Sequence, residues 1–167
     1  MKNRNTMIVM VLAVAVTALL AAIVAPVASG GPPGVSTTIT TNFSNSVPAD
    51  NPCTGGSGTL TLAGRDVLHV TDFGNGVFHM VDTQTGLLTF TPDDPSAPTY
   101  TGHFTNTTYN NQRGQQLTAG GPFNVVAVGA DGSRVVFHLT VQTTLTPDGT
   151  VIVSLFNAHT ECVPPKP

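Results

Sequence analysis

The chain has 167 residues, of which 9% are charged; six Lys and Arg face nine Asp and Glu for a net of −3, alongside 17 glycines, 13 prolines and no tryptophan. Without a basic excess there is no electrostatic footprint for nucleic acid, and without abundant Glu, Lys and Arg neither a coiled coil nor a charged disordered tail can form. The length suits one domain.

The first element is a leader. Lys2 and Arg4 precede an apolar run from Met7 to Val24 that only Thr17 interrupts, and the small residues Ala28, Ser29 and Gly30 follow. A cationic start, an apolar core and a small-residue exit predict a cleavable signal peptide over residues 1–29, cut after Ser29 or Gly30. The alternative is an uncleaved anchor, because the apolar run is just long enough to span a bilayer. Cleavage leaves four cationic side chains against nine carboxylates, a net of −5, and 24 threonines. Threonine at this density favours exposed strand faces over helices.

Residues 30–50 read as a flexible segment and a first strand at 36–43, residues 51–162 as the body of the domain, and 163–167 as a tail. Leu60 and Leu62 alternate with Thr59 and Thr61 in a strand at 58–63. A hairpin over 66–82 turns around Gly74-Asn75-Gly76 in one of two registers. A two-residue turn at Asn75-Gly76 pairs Asp72 with His79, whereas a three-residue loop ending on Gly76 puts His69 and His79 on one face. Strands at 86–91, 99–107 and 113–118 follow, with a proline-stiffened loop at 91–98. In 99–107, Tyr100, Gly102 and Phe104 oppose a row of threonines and His103.

Two further hairpins fill 122–160. Asp131-Gly132, taken as a two-residue turn, sets Val126 and Val128 against Phe137 and Val135. At Pro147-Asp148-Gly149 the proline has no N–H, so a type I turn with Gly149 in a left-handed bulge is expected, with Thr146 facing Thr150. Carried outward, that register pairs Leu145 with Val151, Val141 with Leu155 and Phe137 with His159. The sum is an all-β, antiparallel domain of about eight strands, expected to close as a barrel, with a β-sandwich as the alternative.

The cysteines are Cys53 and Cys162, one near each end of the exported part. Export makes a disulfide the expected state, with free thiols or a metal pair as the rival reading. Such a bridge requires the first and last strands to come together.

The frame Asn51-Pro52-Cys53-Thr54-Gly55, the single histidines in Leu68-His69-Val70, Phe78-His79-Met80 and Phe137-His138-Leu139, and the ending Thr160-Glu161-Cys162 resemble a group of uncharacterised small secreted bacterial proteins. The likeness covers residues 51–162. It implies a secreted, disulfide-closed antiparallel β-barrel similar to calycin or allene oxide cyclase-like barrels. It carries over no catalytic residue. The absence of tryptophan separates the chain from the lipocalin and avidin signatures.

Chemistry is sought first at the five histidines, 69, 79, 103, 138 and 159, but none stands in a metal-ligand spacing. Asp72 and His79 form a candidate acid/base dyad in one hairpin register, against the plainer reading of a cross-strand charge pair. No Gly-x-Ser-x-Gly elbow marks a nucleophile, and Asp93-Asp94 reads as a turn, well short of a calcium site. Asn42 and Asn106 head glycosylation sequons. No catalytic residue, cofactor or metal is assigned. The leading expectation is a secreted, non-enzymatic protein that binds a small apolar ligand or acts at the cell envelope, with no membrane attachment once the leader is removed. The rivals are an allene oxide cyclase or dirigent-like isomerase, which needs polar groups inside, and a surface adhesion or protein-binding module, which needs an exposed apolar patch.

Overall fold

The computed structural model describes residues 34–148 and 150–165, residues 152–154 as backbone alone. The predicted leader at 1–29, the turn glycine Gly149 and the last two residues of the predicted tail lie outside the described residues. Among the described residues no helix is long and apolar enough to cross a membrane.

Seven strands follow one another along the chain: β1 (Val35–Asp50), β2 (Ser57–Gly74), β3 (Val77–Pro92), β4 (Tyr100–Arg113), β5 (Gln116–Gly129), β6 (Arg134–Leu145) and β7 (Val151–Val163). They form one antiparallel sheet in sequence order. The expected eight strands become seven because short segments merge. The segment at 58–63 continues through Gly64 into β2, and 86–91 is the second half of β3. Gly64 pairs directly with Gly86, so neither predicted break interrupts the ladder of β2 and β3. The predicted strand at 113–118 contains a turn, with Arg113 paired to Gln116 across Gly114 at φ 60°.

The sheet is rolled but not closed, which corrects the expected closed barrel. Each strand pairs with its neighbour in sequence, and the sheet order leaves β1 and β7 as two edges. An odd number of antiparallel strands makes these edges run parallel to one another, so they cannot complete the ladder in the manner of the other six junctions. The roll itself is pronounced. Phe43 on β1 and Phe104 on β4 lie three strand spacings apart, roughly 14 Å in a flat sheet, yet their ring centroids are 6.0 Å apart. The Cys53–Cys162 disulfide joins the β1–β2 loop to β7 with the Cα atoms 5.7 Å apart. It ties the two edges at one end of the roll.

Alternation assigns the faces. The concave face holds Leu60 and Leu62 of β2, Leu88 and Phe90 of β3, Tyr100 and Phe104 of β4, Val125 and Ala127 of β5, and Val135, Phe137 and Leu139 of β6. Most of these form one buried cluster. Phe43, Phe104, Phe123 and Phe137 step across it with successive ring centroids 6.0, 6.2 and 6.2 Å apart. Edge-to-face and tilted contacts of this kind add to the burial of apolar area. The disulfide-tied end of the roll is therefore filled by side chains. At its rim the buried Tyr100 and Ser133 hydroxyls are hydrogen-bonded to one another at 2.9 Å.

Three local irregularities set the registers of the hairpins. Asn75 and Gly76 both have positive φ, as a two-residue hairpin turn requires, but a bulge between Asp72 and Gly74 shifts the ladder, so that Asp72 pairs with Phe78 and Thr71 with His79, and His69 and His79 share one face as the second expected register has it. At the next-to-last hairpin, Gly132 at φ 83° is the left-handed residue of a three-residue turn, with Gly129 N–H donating to Ser133 O at 2.8 Å. Asp131 accepts from the Ser133 N–H and hydroxyl, which locks that shape and holds the exposed carboxyl below its usual range. The register moves by one. Val125 and Ala127 face inward, and Val126 and Val128 face out at 43% and 49% exposure. The last hairpin keeps Thr146 facing Thr150 and Leu145 paired with Val151. A bulge then displaces the remainder, pairing Val141 with Phe156 and Phe137 with Thr160 in place of Leu155 and His159. Because strand faces alternate with a period of two, each one-residue shift turns a whole segment over.

Candidate functional site: a carboxyl pair on the concave face

Below the aromatic core the concave face becomes polar. Asp66 of β2 pairs with Gln84 of β3, which pairs with Asn106 of β4, and the next row places Leu68, Asp82 and Thr108 side by side. Asn110 lies one step beyond Thr108 on the same face of β4, diagonal to Asp82. Two aspartates thus stand on adjacent strands inside the roll. Gln84 binds both, its Nε2 donating to Asp66 Oδ2 at 3.5 Å and to Asp82 Oδ2 at 3.4 Å, and Asn106 Nδ2 donates to Gln84 Oε1 at 3.2 Å.

The other oxygens of the cluster are unpartnered. Asp66 Oδ1, Asp82 Oδ1 and Asn110 Oδ1 are buried without a hydrogen-bond donor. Two ionised carboxylates cannot satisfy one another, since each is only an acceptor. A proton on Asp82 turns one acceptor into a donor and lets the pair share a hydrogen bond. Burial pushes the Asp82 carboxyl up to about 7, and the hydrogen bond to Asp66 and the charge of Asp66 act in the same direction. Among the described residues no cation offsets this. Arg65, Arg113, Arg134 and all five histidines occupy convex-face positions, so the concave face among the described residues carries carboxyl and amide groups without a basic partner.

This arrangement has a pH signature. The folded-state value of Asp82 is about 7, above its ordinary value of 3.8. The stability it contributes is therefore complete below about pH 4 and is lost as pH rises through 7. Asp82→Asn keeps the shape and removes the titration. It is expected to flatten the fall in stability between about pH 4 and 7 and to exceed the wild type in denaturation midpoint at pH 8. Parallel pH profiles for the two proteins would show that the pair shares no proton. Asp94, Asp131 and Asp148 do not interfere, because local Ser and Thr hydrogen bonds hold their exposed carboxyls below the usual range, outside this window.

The residues singled out from sequence lie elsewhere. Asp72 is on the concave side of β2, where its Oδ1 accepts the Gly74 N–H at 2.7 Å and caps the turn, while His79 points the other way and bonds Asn111. The expected dyad is split between opposite faces by the bulge at Phe73. His69 accompanies Thr38 and Thr71 on the convex face, and His138 binds Asn124 and Thr140 there. His159 pairs with His138 and not with Phe137. Asp94 accepts from the Ser96 N–H and hydroxyl, in keeping with a turn. Of the two sequons, Asn42 is on the exposed edge strand, whereas Asn106 is half-buried and bonded to Gln84. Surface clefts of about 360 and 340 Å³ open at the two ends of the roll, one beside Asn51, Asp93 and Tyr100, the other beside Phe73, His79 and Arg113. Neither is lined by Asp66 or Asp82.

The carboxyl pair was missed in sequence because the register of the hairpin over 66–82 was open. The signal is present: Leu60, Leu62, Gly64, Asp66, Leu68 and Val70 form one alternating set, so Asp66 interrupts an apolar face. No protein-family model, no curated protein and no solved structure is detectably similar to the chain.

Proposed function

We propose that the protein is exported and acts as a non-enzymatic binding protein for a small molecule held on the concave face. The ligand has an apolar body and at least one N–H or O–H donor. The observation that carries this reading is Asn110, 6% exposed, with its Oδ1 unpartnered beside the Asp66–Asp82 pair. A buried acceptor without a donor costs about 1–3 kcal/mol, and a ligand donor removes that cost. Leu68, Met80 and Leu139 on the same face supply apolar contact. Export is supported by the cationic and apolar leader and by the disulfide, which suits an oxidising compartment.

Native mass spectrometry of protein purified from its own host tests this reading. The expected result is a non-covalent adduct that is lost from Asn110→Leu, which removes the acceptor at similar volume. A bare wild-type mass, or an adduct retained by Asn110→Leu, overturns it.

A second reading, an isomerase, draws on Asp82, which can hold or release a proton near neutrality beside a second carboxyl. An isomerase leaves mass unchanged. Its signature is a ligand released by the wild type that differs in chromatographic retention, at equal mass, from the ligand released by Asp82→Asn.

A further inference from the structure

The edges of the sheet have a pattern that the ligand reading does not use. We propose that the seam between β1 and β7 receives one extended strand from a separate polypeptide, an uncharged segment of alternating apolar and hydroxyl residues running antiparallel to both edges.

Direction is the first argument. β1 and β7 run the same way, and all six existing junctions are antiparallel. One inserted strand of opposite direction satisfies both ladders with the pairing already used throughout the sheet, and completes an even-numbered meander.

The second argument is how the edges are defended. Exposed edge strands are ordinarily blunted by charge, proline or a covering segment. Here every such device sits at the disulfide-tied end. On β1 these are Pro48 and Asp50, and on β7 they are Glu161 and Cys162, with Pro164 just beyond. The rest of β1, from Val35 to Val47, and of β7, from Val151 to Thr160, has no Lys, Arg, Asp, Glu or Pro. Among the described residues, their backbone N–H and C=O groups on the seam side have no partner strand.

The third argument specifies the occupant. Ile39, Leu68, Asp82 and Thr108 form one paired row on the concave face and Gly121, Val141 and Phe156 another; Gly121 lies against Thr108, so Ile39 and Phe156 stand at the two ends of one transverse line. These two are inward positions, yet they are 49% and 51% exposed, because no described strand lies between them. An inserted strand places one inward side chain between Ile39 and Phe156, and apolar character there covers both. Its outward side chains meet Thr38, Thr40 and Asn42 on β1 and Leu155, Asn157 and His159 on β7, so hydroxyls suit that side except beside Leu155. This is strand addition, in which main-chain hydrogen bonds supply affinity and alternate side chains supply selectivity.

The probe is a synthetic peptide of the sequence 135–145, which already runs antiparallel to β7 in the fold and is apolar at alternate positions. It is added to the full disulfide-bonded protein and followed by amide hydrogen exchange and native mass spectrometry. The expected result is a one-to-one complex in which the seam-side amides of both β1 and β7 exchange at least tenfold more slowly. Ile39→Lys with Phe156→Lys should weaken the complex at least tenfold while leaving the unfolding midpoint in place, since both side chains are half exposed. Protection at one edge alone, no protection at either, loss of protection on β6 through strand exchange, or a self-dimer that protects both edges without peptide would each overturn the proposal.

Discussion

Replacing both Cys53 and Cys162 by alanine is expected to remove a large share of the protein's stability. The bridge spans a sequence separation of 109 residues. The chain-entropy model assigns about 4.7 kcal/mol to cross-linking a loop of ~100 residues, by restricting the unfolded chain. A domain of this size has about 5–15 kcal/mol in all. The native state loses something as well, because β1 and β7 are not hydrogen-bonded to one another and the disulfide is the covalent tie between the two edges. Guanidinium denaturation of wild type and double variant tests this. A midpoint loss equivalent to several kcal/mol is expected, together with a steeper denaturant dependence from a more expanded unfolded state. A loss under about 1 kcal/mol would mean that the roll holds its shape without the tie.

The second large effect is expected at the glycine pair. Gly64 and Gly86 face one another across β2 and β3, flanked in the same row by Phe43 and Phe104. A Cβ on Gly86 would lie 2.1 Å from the Ala63 carbonyl oxygen and 2.7 Å from the Gly64 Cα, and a Cβ on Gly64 meets the mirror-image obstacles. Both obstacles are backbone, so no rotamer change relieves them. Gly86→Ala must push two central strands apart and separate the Phe43 and Phe104 rings that meet across the glycines. The expected loss is about 3 kcal/mol or more, at the upper end for overpacking. Gly56→Ala is the control, because its Cβ meets only the Thr54 hydroxyl at an ordinary 3.4 Å. Near-equal effects at the two sites would show that the packing of Phe43 on Phe104 does not depend on the close approach. The aromatic cover over backbone that lacks side chains is a recognised way of supporting glycine within a sheet.

The glycine pair also explains how much of the site could be read in advance. Alternation in Leu60, Leu62, Tyr100, Phe104, Val135, Phe137 and Leu139 places these side chains on the concave face where the structure has them. Strand identity and direction were legible because threonine-rich alternation and short turns act locally. Register was not. Whether Asp131-Gly132 closes a two- or a three-residue turn depends on the Asp131 bonds to Ser133, and the bulges at Phe73 and after Leu145 add one residue each. Those single-residue differences sent His79 outward, away from Asp72, and turned β7 over. They also left Asp66 and Asp82 as the carboxyls that meet inside the roll.

Composition, the leader pattern and the alternation of apolar and hydroxyl residues suffice to specify an antiparallel sheet with low charge and two cysteines available for one bridge, because each depends on a residue and its near neighbours along the chain. Closure, face and proximity depend on distant segments. That the sheet rolls far enough to join Cys53 to Cys162 yet leaves β1 and β7 unpaired follows from strand count and from the close backbone approach at Gly64 and Gly86. That Asp82 takes up a proton near neutrality follows from its burial beside Asp66, a residue 16 positions away that only the β2–β3 register brings alongside.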